Sequence, residues 1–280
     1  MLLLAVPSPG GAIVVVNDDV VHVSNDGGLS YRDVLHAPSA IDTATVSSDG
    51  SIYVIEDDEL VIVKGTTVTK RAMKGARHVV ADGRIVAVLL EEAMAVSSDG
   101  GATFTARAVP SPSVIGQYDM TIASGSPFLV ETSINTCTSV DILEWQRLVQ
   151  FGPAPFQRSI DLPRADLAAT WRFGAFGWMY GVTYAHRFLA MSAAGFAPVE
   201  GVAIADGHGV GNVAHNQRVT VATIGDDLVQ LDGARAHVLD AHVKPGDLVA
   251  VDGDDRPLVS DGKELWRFSR ITGWTKLALP

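Results

Sequence analysis

The chain has 280 residues, a single cysteine (Cys137) and a formal charge of −11 at neutral pH. One cysteine excludes an intramolecular disulfide and a cysteine-based zinc cluster, and an acidic balance excludes phosphate-driven binding to nucleic acid, which needs a basic footprint. No apolar stretch approaches the roughly 18 to 20 residues that span a bilayer, so no membrane span is expected.

In chain order, the first readable unit is a two-strand phrase, Ala12 to Val23, turning at Asp18-Asp19. It leads into Ser24-Asn25-Asp26-Gly27-Gly28-Leu29-Ser30-Tyr31. A second such phrase, Ser51 to Val63, turns at Asp57-Asp58, with Glu56 and Glu59 beside the pair, and a Gly turn follows at Leu60 to Val68. The eight-residue phrase then returns as Ser97-Ser98-Asp99-Gly100-Gly101-Ala102-Thr103-Phe104. Weaker versions of this corner are read at Ser139-Val140-Asp141 leading to Trp145, at Met191 to Phe196, at Val229 to Ala234 and at Ser269 to Trp274. The acidic turn recurs at Asp226-Asp227. An earlier turn recurs as Ser48-Asp49-Gly50, Ala81-Asp82-Gly83, Ser124-Gly125-Ser126 and Gly253-Asp254-Asp255.

Each turn has a chemical reason. Glycine enters positive φ at low steric cost, Asp and Asn tolerate it, and Ser and Asp side chains close local turns onto backbone N–H groups. Between the turns run short Val- and Ile-rich segments, the pattern of strands. Three hairpin turns per unit make four antiparallel strands, and the corners give about seven units of about 40 residues. The expected fold is an all-β propeller of seven four-stranded blades around a central channel, as a single domain. The blades are drawn near residues 1–40, 41–75, 76–117, 118–165, 166–210, 211–246 and 247–280. Only Asp161 to Ala169 suggests a helical turn.

The two full phrases resemble the Asp-box, or BNR repeat, whose pattern is Ser-x-Asp-x-Gly-x-Ser/Thr-aromatic. The resemblance implies a corner between the third and fourth strands of a propeller blade. It also implies that Ser24, Asp26, Gly28 and Tyr31, with Ser97, Asp99, Gly101 and Phe104, are structural. Sialidases share these boxes but also need an arginine triad, a Tyr nucleophile with a Glu partner, and an early Arg-Ile-Pro phrase. The phrase is absent here. No catalytic residue, metal site or cofactor is therefore expected. His208 and His215, and His237 and His242, lack a ligand pattern; Asp252 to Asp255 lacks the order of a calcium loop; and Asp206 to Gly211 lacks the strand-to-helix context of a nucleotide loop.

Two candidate surfaces remain. Trp171, Arg172, Trp178 and Tyr180 sit on the expected inner strands of the fifth blade, either as blade packing or as a stacking surface for a sugar or a side chain. The pairs Asp18-Asp19, Asp57-Asp58 and Asp226-Asp227, with Glu56 and Glu59, are expected on the face opposite the Asp-box corners, beside the connection Gly152 to Arg164. Their field favours a protein partner with a basic surface. A second irregular stretch, Gly201 to Gly211, is also a place to look for binding. The expected function is a non-catalytic binding or assembly module, with a carbohydrate-binding propeller or glycosidase-like hydrolase as the alternative. With no leader as the sequence stands, the expected location is the cytoplasm; an upstream start codon or a trimmed chain would make it a secreted protein.

Overall fold

The computed structural model describes residues 1–6, 10–109, 116–135, 142–152, 157–161, 168–183, 187–192, 195–204, 210–240, 243 and 247–280. Its strands form seven four-stranded antiparallel sheets, each built from four consecutive strands. Blade 1 holds β1–β4 (Leu2–Ala5, Ile13–Asn17, Val20–Ser24, Arg32–His36) and blade 2 holds β5–β8 (Thr43–Val46, Ile52–Glu56, Glu59–Lys64, Thr67–Ala72). Blade 3 holds β9–β12 (His78–Asp82, Ile85–Leu89, Ala93–Ser97, Thr105–Ala108) and blade 4 holds β13–β16 (Gly116–Ala123, Ser126–Asn135, Ile142–Phe151, Gln157–Asp161). Blade 5 holds β17–β20 (Ala168–Phe173, Met179–Thr183, Phe188–Ser192, Gly195–Pro198) and blade 6 holds β21–β24 (Val210–His215, Thr220–Ile224, Asp227–Asp232, Arg235–Asp240). Blade 7 holds β25–β28 (Leu248–Val251, Pro257–Ser260, Leu265–Ser269, Gly273–Leu277). The chain is a seven-bladed β-propeller.

The first strand of each blade is innermost, because these strands meet their counterparts in the adjacent blades around the ring, including β1 against β25. Outer strands such as β8 and β12 are largely exposed, whereas the second strands β6, β22 and β26 are buried throughout. A strand buried on both faces reads as a continuous apolar run, yet its side chains still alternate between two neighbours. On β2, Val14 and Val16 enter the seam with blade 2, while Ile13 and Val15 enter the seam with blade 7. On β6, Ile52 and Val54 face blade 1, and Tyr53 and Ile55 face blade 3. Every one of the seven seams has its own apolar cluster of this kind.

Ring closure follows the same rule without a shared strand. Leu3, Ile13 and Val15 of blade 1 pack on Ala250, Leu258, Leu265 and Leu277 of blade 7, and the Ala278 N–H donates to the Gly28 carbonyl at 2.9 Å.

Antiparallel connectivity fixes two faces. Turns after the first and third strands lie on one, the corner face; turns after the second strands, and the connections between blades, lie on the other, the crossing face.

Two expectations change in blade 4. Trp145 lies within the third strand β15, so the corner expected near Ser139 to Trp145 is misplaced; residues 136–141 lie outside the described residues. The cause is strand length, since β14 and β15 have ten residues each and push the corner past Phe151. Within the stretch from Gly152 to Arg164, Gln157–Asp161 form the outer strand β16 and not a connection between blades; residues 153–156 and 162–164 lie outside the described residues. Among the described residues the only helical element is one 3₁₀ turn at Ala175–Gly177. Asp161, where a helical turn was expected to begin, ends β16, Ala168 opens β17, and residues 162–167 lie outside the described set.

Candidate functional site

The two full corners are built alike. Ser24 Oγ donates to Asp26 at 2.7 Å and accepts the Gly28 N–H at 2.8 Å, while Asp26 also accepts the N–H groups of Leu29 and Ser30 at 3.0 Å. Ser97 and Asp99 repeat this, with Gly101 N–H on Ser97 at 2.8 Å and Thr103 N–H on Asp99 at 2.9 Å. Hydrogen bonds from the Ser30 and Thr103 hydroxyl groups, with those from nearby backbone, hold both carboxyls well below the usual carboxylate range.

Each corner also grips the preceding blade. A Cβ on Gly28 would lie 2.9 Å from Leu277 of blade 7, and one on Gly101 would lie 2.6 Å from Ile62 of blade 2. Tyr31 and Phe104 pack into those same seams, and burial pushes the Tyr31 hydroxyl up to about 12. Asp26 and Asp99 are therefore fully employed inside their own turns.

The acidic pairs lie on the crossing face at the turns between second and third strands. At Asp57-Asp58 both residues have positive φ (41° and 62°), as a tight two-residue hairpin requires. The backbone of these turns anchors the chain as it leaves each blade. Asp19 accepts the Ala37 N–H at 2.7 Å, Asp58 the Met73 N–H at 2.6 Å and Asp226 the Val243 N–H at 3.1 Å. The Asp58 carboxylate is also used, accepting the Gly75 N–H at 2.7 Å. Asp18, Asp19, Asp57, Asp58 and Asp226 are exposed, and Asp227 is half-buried at the start of β23.

Sequence reasoning missed Glu91 and Glu92, which occupy the same turn in blade 3, and Asp261, which occupies it in blade 7. Their signal was the offset before the third strand. With them, acidic turns run over the consecutive blades 6, 7, 1, 2 and 3. Glu56 does not belong to this surface: it ends a fully buried strand at 1 % exposure, and burial raises its carboxyl despite Lys70 at 3.9 Å. Glu59 is tied to Lys70 at 3.1 Å.

The aromatic group of blade 5 is divided by packing. Trp171 is 2 % exposed, sits in the seam with blade 4 and donates its indole N–H to Gln146 at 2.8 Å. Tyr180 is 1 % exposed in the seam with blade 6, where burial pushes its hydroxyl above the usual range. Both are closed to stacking by a ligand. Trp178 is half-buried against Gly233. Arg172 alone of the four lines the central channel.

That channel holds a cavity of about 700 Å³ lined by the inner strands of all seven blades. Its polar lining includes His78, Asp82, Asp119, Arg172, His215 and Asn216. Asp119 accepts the Phe173 N–H of the next blade at 2.9 Å and the Met120 N–H at 3.0 Å. Burial raises its carboxyl to about 6, against the opposing pull of Arg172. Burial also lowers His78 and His215, favouring neutral imidazoles. Among the described residues no cluster of three or more His, Cys, Asp or Glu could hold a metal, and no helix is long and apolar enough to cross a membrane. His208, Asp206, His242 and Cys137 lie outside the described residues.

The fold defines the class, a seven-bladed propeller, and solved structures agree with it. No family model matches the chain, and no curated protein sequence matches it. A chain in the structure described as "YCF48 bound to D1 peptide" is similar over 89 % of this chain and 84 % of its own, with 13 % identity and a TM-score of 0.59. A chain of a mitotic checkpoint complex covers 99 % and 86 %, with 12 % identity and a TM-score of 0.65. Apo AztD from Citrobacter koseri covers 95 % and 92 %, with 12 % identity and a TM-score of 0.57. At such identities the likeness is one of fold.

Proposed function

We propose that this propeller is a non-catalytic protein-interaction module whose crossing face receives a basic segment of a partner protein. The observation that carries the reading is the run of exposed acidic turns over blades 6, 7, 1, 2 and 3. Among the described residues, the carboxylates of Asp18, Asp19, Asp57 and Asp226 make no hydrogen bond or ion pair. Acids spread over a rigid rim steer and orient an oppositely charged partner more than they add affinity. Structural neighbours described with a bound peptide and in a multiprotein complex support this use of the fold. The two full corners fit the Asp-box class of repeat, assigned here on their turn chemistry. For the glycan alternative, burial takes Trp171 and Tyr180 out of the expected stacking surface and leaves Trp178 half-buried.

The test is fluorescence anisotropy with a library of labelled Lys/Arg-rich peptides and their acidic counterparts. We expect selective binding of basic peptides, weakened at least about tenfold by combining Asp18→Asn, Asp19→Asn, Asp57→Asn and Asp226→Asn, and weakened by salt. Equal binding of acidic peptides, or binding indifferent to the four substitutions, overturns the reading.

A further inference from the structure

We propose that the mouth of the central channel on the corner face is a second ligand site, one for a carboxylate borne on an apolar or aromatic stem. Arg172 receives the carboxylate and Phe176 covers the stem. The site lies on the face opposite the acidic turns and stands independently of them.

The geometry begins with a hook between the first two strands of blade 5. Phe173 N–H is held by Asp119 of blade 4, Gly174 N–H donates to the Trp178 carbonyl at 2.8 Å, and Ala175 N–H donates to Thr220 of blade 6 at 2.7 Å. Gly174 leaves no room for a side chain, since a Cβ there would lie 2.7 Å from Tyr180 and 2.8 Å from Thr220. Gly177 turns back at φ +75° against Ala123. Between them Phe176 is fixed at φ 58°, ψ 20°, an uncommon conformation for a bulky residue, with its side chain 78 % exposed beside the cavity. An aromatic ring held in a left-handed conformation in solvent gains nothing in the free protein, and such outliers gather at ligand clamps.

Arg172 supplies the polar contact. Among the described residues its guanidinium makes one hydrogen bond, to the Trp171 carbonyl at 3.3 Å, leaving further N–H donors in the fork arrangement that suits a carboxylate. Asp119 is attracted to the guanidinium while ionised but makes no hydrogen bond to it; its two oxygens accept the Met120 and Phe173 N–H groups. A cavity of about 700 Å³ lies within the range of small-molecule sites.

The surrounding charges set the pH response. Asp119 opposes an incoming anion while ionised, and its carboxyl titrates at about 6. Asp82 is the other acid of the wall and accepts the Ser48 hydroxyl at 2.9 Å. His78 and His215 are neutral near pH 7 and gain positive charge only in acid. Protonation of Asp119 and of either histidine acts in the same direction, so anion binding tightens as pH falls.

Two probes carry the same chemistry from different sources: 3-phenylpropionate, and a short peptide ending in phenylalanine with a free C-terminus. Saturation-transfer NMR and calorimetry are run with both, and with the amides of both. We expect each acid to bind at least about tenfold more tightly than its amide, and several-fold more tightly at about pH 5 than at about pH 7.5. If only the peptide binds, the carboxylate is a chain terminus; if both bind, the site takes free acids. Arg172→Gln should abolish the preference for acid over amide, and Phe176→Gly, which relieves the backbone conformation, should weaken binding without lowering Tm. The four crossing-face Asp→Asn changes should leave this binding intact. Equal affinity for acid and amide, a preference for a cationic probe, no binding at millimolar concentration, or unchanged binding by a folded Arg172→Gln protein overturns the proposal.

Discussion

Glu131 lies on the second strand of blade 4 with no exposed surface, and among the described residues neither of its carboxylate oxygens has a hydrogen-bond partner. Loss of solvation outweighs the attraction of Arg147, which pairs with it across β14 and β15, and raises the carboxyl to about 7 from an ordinary 4.5. The folded chain thus binds more protons than the unfolded chain between these values, and stability falls as pH rises through that window. Glu131→Gln should therefore stabilise the protein by about 1–3 kcal/mol at pH 8, with the gain vanishing near pH 4. Thermal melts of both proteins across that range check it, and a loss of stability at pH 8 would show that the charge is satisfied. Nothing in the sequence marks Glu131, because a single Glu within a strand carries no sign of what will cover it in the folded ring.

At the scale of the element, the corner at Ser97 to Phe104 does two jobs that one substitution can separate. Gly101 has φ +88° and touches Ile62 of the preceding blade, whereas Gly50, at φ +81° in a turn of blade 2, has nothing within 4 Å of the place a Cβ would take. Alanine at either position meets the same backbone penalty; only at Gly101 does it also meet a packed neighbour. Gly101→Ala should cost about 1–3 kcal/mol more than Gly50→Ala, read from urea midpoints. Equal costs would mean that the corner serves its own hairpin alone. The local half of this design is legible in the sequence, since Ser, Asp and paired glycines prescribe their own turn. The grip on the preceding blade is not legible, because Ile62 and Leu277 come from other units.

For the whole molecule, the seam between blades 1 and 7 closes the ring through side-chain packing and the bond from Ala278 to Gly28. Leu277, 8 % exposed on the outer strand β28, belongs to this seam and lies against the first corner. Leu277→Ala should cost about 2–4 kcal/mol, and hydrogen exchange should show blades 1 and 7 losing protection together. Loss confined to the last blade would indicate that closure adds little to the ring. The acidic crossing face and the channel mouth lie on opposite faces of this ring, so their two sets of variants should act independently.

The sequence by itself determined the number of blades and most of their turns, though not the third corner of blade 4, because turn chemistry and apolar alternation are properties of a few adjacent residues. It also placed Asp18, Asp57 and Asp226 at hairpin tips, where exposure follows from the turn. The tertiary structure alone decided which of the large side chains are enclosed. Trp171 and Tyr180 disappear into seams, Glu56 turns inward, and Phe176 is left in solvent. It alone brought Asp119, Arg172 and His215 to one channel, since each comes from a different blade and only closure of the ring makes them neighbours.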